Sequence, residues 1–307
     1  MKKLLTLPLL FLATAIFAQD INRKQLLTDI EVLSSDVYKG RKTGTKENQM
    51  AADYIIKRFK EIGVKPYKNN FKQSFIAKNR KGEDLQGYNL VGYVKGKTDK
   101  VIVISAHYDH IGISSNYLIN NGADDNASGV SALLALAGYY AKNKPTHTLI
   151  FAAFDAEEMG LQGAKAFVAR PPVSLSKIRM NINMDMISHN DRSELYVAGT
   201  YYYPELKKYM HTTNPNLKLL TGHDDPKLGK DDWTDQSDQG AFHQKKIPFL
   251  YFGVEDHADY HRPSDEFQNI NKEFFYNAAS AILEVLNNID QDRTIQSLLH
   301  ERVIMKN

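Results

Sequence analysis

Apolar residues recur along this chain in two distinct rhythms. Residues 23–35 place Leu26, Leu27, Ile30 and Leu33 at helical spacing. Residues 46–62 do the same with Ala51, Tyr54, Ile55, Phe59 and Ile62, and Gly63 is a stop signal. Further helices are predicted over 127–142 (Val130, Leu133, Leu134 and Ala137 on one face), 160–168, 204–213 and 272–288. Between them lie runs that are apolar throughout, at 101–106, 148–154, 179–187 and 247–252, which read as buried strands. Additional strands are predicted at 70–77, 88–94 and 194–198, and 222–239 reads as a long polar loop. Apolar strands alternating with amphipathic helices imply an α/β fold, a mixed, mostly parallel central sheet flanked by helices on both faces. No internal repeat or low-complexity linker divides the chain, so residues 19–307 are expected to form a single domain.

The first residues follow another pattern. Lys2 and Lys3 precede an apolar stretch, Leu4 to Phe17, that is short for a bilayer span, and Ala18 precedes Gln19. Residues 1–18 therefore read as a signal peptide, with an uncleaved anchor as the alternative. Export to the periplasm or the medium is the expectation. Removing that segment lowers the net charge from +3 to +1, which leaves no electrostatic reason to expect nucleic acid or, after cleavage, a membrane as partner. The chain has no cysteine, which excludes disulfides, thiolate ligands and a cysteine nucleophile.

Candidate chemistry gathers where strands end, as sites do in open α/β sheets. His107, Asp109 and His110 follow the strand at 101–106, and Asp124 lies at the next helix start. Glu157 and Glu158 follow the strand at 148–154, Asp185 closes the one at 179–187, and His261 sits in the loop after 247–252. Singly, each has an ordinary explanation: a structural histidine, a helix cap, a solvated glutamate pair. Asp185 is harder to dismiss, because Ile182, Met184, Met186 and Ile187 surround it with apolar chain, where an unpaired charge is costly. Nitrogen and oxygen donors without cysteine suit zinc and, less exclusively, manganese or cobalt.

The segments SAHYDH, GADDNASG, DAEEMGLQG, NMDMI and YHRPSDEF, in this order, resemble the secreted di-zinc aminopeptidases of the zinc-exopeptidase clan. That family includes bacterial leucyl aminopeptidases and, more remotely, glutamate carboxypeptidase and glutaminyl cyclases. The resemblance covers residues from about 25 to 290. It implies zinc, two per chain, with His107 and Asp185 on one ion, Glu158 and His261 on the other, and Asp124 bridging both. Asp125 would belong to a linkage that family members often hold as a cis peptide. Asp109 would accept a hydrogen bond from the second ring nitrogen of His107. Glu157 would be the general base for a water activated between two metals. Tyr260 would either donate to the oxyanion or simply pack its loop. His110 and His189 read as supporting or structural. Ser237-Asp238 falls where relatives carry S-D-H, and Gln239 replaces that histidine, which puts any carried-over role there in doubt. The aspartates of 222–239 read as a solvated rim, a calcium site or a grip on a substrate ammonium. Gly40-Arg41 matches a structural turn.

The implied activity is an exported zinc exopeptidase that acts on peptide substrates with a free N-terminus. A glutaminyl-cyclase-like single-zinc acyltransferase, a carboxypeptidase or dipeptidase, and a non-catalytic binding module on the same fold stay open.

Overall fold

The computed structural model describes residues 21–292; the segment read as a signal peptide, residues 1–18, lies outside them. The strands are β1 (Lys65–Pro66), β2 (Lys72–Lys78), β3 (Asp84–Val94), β4 (Val101–His107), β5 (Gly112–Ile113), β6 (Ile119–Asn120), β7 (Thr148–Phe154), β8 (Ile178–Met184), β9 (Glu194–Ala198), β10 (Lys218–Thr221) and β11 (Phe249–Gly253). The α-helices are α1 (Arg23–Leu33), α2 (Lys46–Ile62), α3 (Gly129–Lys142), α4 (Gln162–Ala169), α5 (Gln239–His243) and α6 (Lys272–Gln291). Nine strands form one mixed sheet in the order β1-β3-β7-β4-β8-β11-β9-β10, with β2 paired to β3. The four central strands, β7, β4, β8 and β11, all run parallel, while β3 and β9 enclose them antiparallel.

Period-two alternation sorts the central strands onto two cores. Ile102, Ile104, Leu149, Phe151, Met180 and Ile182 face the layer that contains α1, α2, α3 and α6. Val101, Val103, Ile150, Ala152 and Phe154 face Phe167 of α4 and Phe242 of α5. Every residue of β4 and β7 is buried, which is why both read as unbroken apolar runs. Helix ends follow local chemistry. The Thr45 hydroxyl accepts from the Asn48 amide at the start of α2, and Gly63, at φ 91°, closes it in a left-handed conformation.

The differences from the expected elements have local causes. Residues 204–213 form only a 3-10 turn, Pro204–Tyr209. Within 222–239 another such turn, Pro226–Asp231, breaks the loop. β10 was not anticipated; it lies at the sheet edge, parallel to β9, half exposed and without an apolar run.

Two buried charges pin the layers together. The Arg41 guanidinium donates to the carbonyls of Leu33 (2.7 Å), Tyr108 (2.9 Å), Asn121 (2.6 Å) and Gly122 (2.9 Å). Burial lowers its pKa to about 10, against the pull of Asp125, Asp265, Asp109 and Glu158, so it stays protonated at neutral pH. The Asp290 carboxylate near the end of α6 accepts from the amides of Thr146 and His147, both at 2.8 Å, and contacts His147 Nδ1 at 3.0 Å just before β7. Replacing Arg41 with Met should cost roughly 3–5 kcal/mol, the range for removing one partner of a buried charged network. Urea denaturation followed by circular dichroism measures it, and an unchanged midpoint would contradict the pinning role.

Candidate metal centre

Because β7, β4, β8 and β11 are parallel, their carboxyl ends share one edge of the sheet. His107 ends β4; Glu157 and Glu158 follow β7; Asp185 follows β8; His261 lies in the loop after β11. The chain turns sharply at these points. Ala156, Met186 and His261 have φ of 58°, 58° and 55°, in the left-handed region that side chains rarely adopt. Each such residue costs of order 1–3 kcal/mol and is held by its surroundings. Gly122, at φ 59°, opens the segment 123–128; a Cβ there would lie 2.1 Å from the Asp125 carbonyl oxygen. The peptide bond between Asp125 and Asn126 is cis.

This geometry builds two donor groups around one carboxylate. Asp125 Oδ1 lies 3.3 Å from His107 Nε2, which is also 3.2 Å from Asp185 Oδ1. Asp125 Oδ2 lies 3.1 Å from His261 Nε2 and 3.5 Å from His110 Nδ1. Glu158 completes the second group, with Oε1 2.8 Å from His110 Nδ1 and Oε2 3.4 Å from His261 Nε2. The groups are thus His107, Asp125, Asp185 and His110, Asp125, Glu158, His261. Ligands about 2.0–2.2 Å from a tetrahedral zinc ion are themselves separated by roughly 3.3 Å, so these nitrogen–oxygen spacings fit the ion that the donor set suits.

Four expected ligands, His107, Glu158, Asp185 and His261, therefore lie in these groups, and Glu157 is near enough for the charges of His107, Asp185 and Glu158 to shift its pKa. Asp124 does not join them. Its Oδ1 accepts from the Ser188 amide (2.6 Å) and hydroxyl (2.8 Å), and its Oδ2 contacts His257 Nε2 at 3.0 Å. The carboxylate that faces both groups is instead the next one, Asp125, because the non-helical turn at 125–126 gives the two adjacent side chains different surroundings. His110, expected to be only supporting, stands inside the second group.

Asp109 also differs in detail. The near contact of His107 Nδ1 is the Asp109 carbonyl at 3.1 Å, with the carboxylate at 3.7 Å. That carboxylate instead accepts from the amides of Glu157 (3.0 Å) and Glu158 (3.3 Å), fixing the turn that presents both glutamates. Asp265 performs the matching task for 124–125, accepting from the amides of Asp124 (2.8 Å) and Asp125 (3.0 Å). Asp155 ties the end of β7 to Thr43, Asn48 and Tyr88. Gln239 accepts from Asn183 of β8 at 3.0 Å, a tie within the scaffold. Tyr260 stacks on the His261 ring with centroids 3.9 Å apart.

So much buried acid has electrostatic consequences. Burial pushes Asp125 up, but His110, His107 and His261 outweigh it and hold it well below the usual carboxylate range. Burial pushes Glu157 well above that range; His107 opposes, while Asp185, Asp238 and Glu158 add to the rise. Asp238 is fully buried, has no hydrogen bond to either oxygen, and is raised by burial to about 8. Asp155 is raised by burial to about 7, with Asp109 adding to the rise.

A third group, His189, His257 and Asp259, flanks Asp124. The two rings lie with centroids 3.8 Å apart and planes tilted by 33°, and both nitrogens of His257 are already engaged, Nε2 with Asp124 at 3.0 Å and Nδ1 with the Asp259 amide at 3.3 Å. The aspartates of the polar loop are spent separately. Asp224 accepts from the Gly199 and Tyr201 amides, Asp231 contacts His223, and Asp232 accepts from Thr234, which argues against a calcium cage.

Residues 89–286 match the model of peptidase family M28. The chain belongs to that family. Among the M28 chain's relatives, aminopeptidase YwaD of Bacillus subtilis is 28% identical over 224 residues, covering 68% of this chain and 47% of the relative. Three of the curated relatives are matched over 33%, 47% and 57% of their own length. Two solved structures show the same fold. One is BSAP, a zinc aminopeptidase from Bacillus subtilis (TM-score 0.70, 18% identity, 88% of this chain and 95% of that one). The other is a Bacteroides thetaiotaomicron glutaminyl cyclase (TM-score 0.68, 19% identity, 88% and 98%).

If Asp125 joins the two groups in this M28 chain, Asp125→Asn should lower the bound zinc, whereas Asp124→Asn should keep it and lower only thermal stability. Elemental analysis of both purified variants checks this. Zinc loss confined to Asp124→Asn would reverse the assignment.

Proposed function

We propose that this chain is an exported zinc-dependent exopeptidase that removes residues from the free N-terminus of peptides. The observation that carries the reading is the position of Asp125, one carboxylate whose two oxygens face two separate donor groups. Family membership and the aminopeptidase relatives support it. His107 and Asp185 would hold one zinc ion, His261 and Glu158 the other, with Asp125 between them and His110 beside the second. Zinc bound there supplies Lewis acidity, lowering the pKa of water towards about 7 and polarising a carbonyl.

The chain's own residues do the rest. Glu157 stands close to His107, Asp185 and Glu158 but belongs to neither group; with the charges of Asp185 and Glu158 offset by bound metal, its carboxylate would ionise, take a proton from the attacking water and deliver it to the leaving amine. The Asp109 carboxylate, by accepting the amides of both glutamates, keeps ligand and base in fixed relation. Tyr260, stacked on His261, would donate its hydroxyl to the tetrahedral oxyanion. Export rests on the charged and apolar pattern of residues 1–18. Among the described residues no helix is long and apolar enough to cross a membrane.

Glu157→Gln should keep its zinc and lose about 10²–10⁴ in kcat, the usual contribution of a positioned base. Metal content measured beside turnover decides it, and a variant of undiminished kcat would remove Glu157 from this role. Wild-type protein should carry two zinc equivalents, lose activity to a chelator, and cleave aminoacyl-anilides but not N-blocked peptides. Full activity with one equivalent, together with cyclisation of N-terminal glutamine, would support the glutaminyl-cyclase reading instead.

A further inference from the structure

The donor group of His110, Glu158 and His261 opens into a cleft of about 590 Å³. Its far wall is the tip of the β2–β3 hairpin, residues 79–83, and its near side includes Lys42, directly after Arg41. Three cations line this space: Lys42, Arg80 and Lys81. All three side chains are exposed, and among the described residues none forms a salt bridge, although neighbours on the same structure do, as in Lys78–Asp84 and Lys39–Glu47. The acidic residues of the cleft are already engaged. Glu83 accepts from Asn79 Nδ2 at 2.7 Å, and Glu158 is held by His110 and His261. The hairpin tip is itself ordered by local bonds, since Asn79 Oδ1 accepts from the amides of Lys81 and Glu83. The hairpin wall and Lys42 therefore bring three cations into the cleft against one carboxylate outside the metal groups, Glu83, which leaves this side net positive.

We propose that this cleft binds a carboxylate of the substrate, so that the enzyme favours short peptides bearing an acidic group beyond the scissile bond. This rests on the peptidase reading of the site. Two sources supply such a group: the C-terminal carboxylate of a di- or tripeptide, and an aspartate or glutamate side chain in a longer one. The cations are solvent-exposed, so their attraction is modest singly, is screened by salt, and acts together over a substrate confined in the cleft.

The test compares Ala-Ala, Ala-Ala-amide and Ala-Glu-amide, at low salt and in 0.5 M salt (roughly a fourfold shorter screening length than at 0.03 M). It uses the full-length zinc-loaded protein and the variants Lys42→Gln, Arg80→Gln and Lys81→Gln. KM for the two acidic substrates should lie below that for Ala-Ala-amide, with similar kcat. Each substitution should raise the acidic KM about two- to fivefold, the effect of one exposed ion pair, and leave the amide unchanged. Salt should erase the difference. A low KM for Ala-Ala alone assigns the C-terminal carboxylate; a low KM for Ala-Glu-amide assigns the side chain. Equal KM for all three substrates, or variants that weaken the amide equally, would overturn the proposal. If no peptide is hydrolysed, the peptidase reading fails instead. Calorimetric titration with N-acetyl-Ala-Ala and its amide then still reads the cleft: preferential binding of the acid supports the proposal, and equal binding overturns it.

Discussion

Burying acid at one edge of a sheet is the constraint around which this chain is built. Asp109, Asp125, Asp155, Asp185, Asp238 and Asp265 are all buried there. Uncompensated, such charges are costly. The chain compensates them in three ways. Asp109, Asp155 and Asp265 accept backbone amides, which turns their charge into loop geometry. Arg41 brings a permanent cation into the same region and spends its donors on four carbonyls, two of them immediately before the Asp125 loop. Three histidines surround Asp125 itself. What is left uncompensated, above all Asp238 and Glu157, is pushed towards the protonated form.

Much of this was legible in the sequence because its causes are local. The strands at 101–106 and 148–154 are apolar at every position because both of their faces are covered, and their carboxyl ends point to the site because they run parallel. That rule picks out His107, Glu157, Glu158 and Asp185 as candidates, and the loop after β11 supplies His261; the resemblance carried by the motifs around them then separates them from ordinary caps and surface acids. Asp124 and Asp125 could not be told apart. Which of two adjacent aspartates faces the site depends on a turn between Gly122 and Gly129 that leaves helical geometry at 125–126, and periodicity carries no information about such a turn. His110 was hidden for the same reason. It lies past the end of β4, and only the density of ionisable residues over 107–110 hinted at it. β10 has no apolar run because an edge strand needs none.

The left-handed residues tie backbone to site. Ala156 precedes Glu157, Met186 follows Asp185, and His261 is itself a candidate ligand. These unfavourable conformations persist because the sheet fixes one side of each turn and the buried polar contacts fix the other. The scaffold's stability thus holds the turns, and the turns aim the side chains.

The link between Asp290 and residues 146–147 bears on how the chain matures. The clamp joins positions 143 and 144 residues apart, and its acidic half lies on the last described helix. A nascent chain emerging from its N-terminus therefore completes the whole of β7, and the glutamates after it, long before the carboxylate that anchors that strand's entry has been made. Contacts of such long range close late and slowly. Final locking of the strand that presents Glu157 and Glu158 must therefore wait until Asp290 has been synthesised.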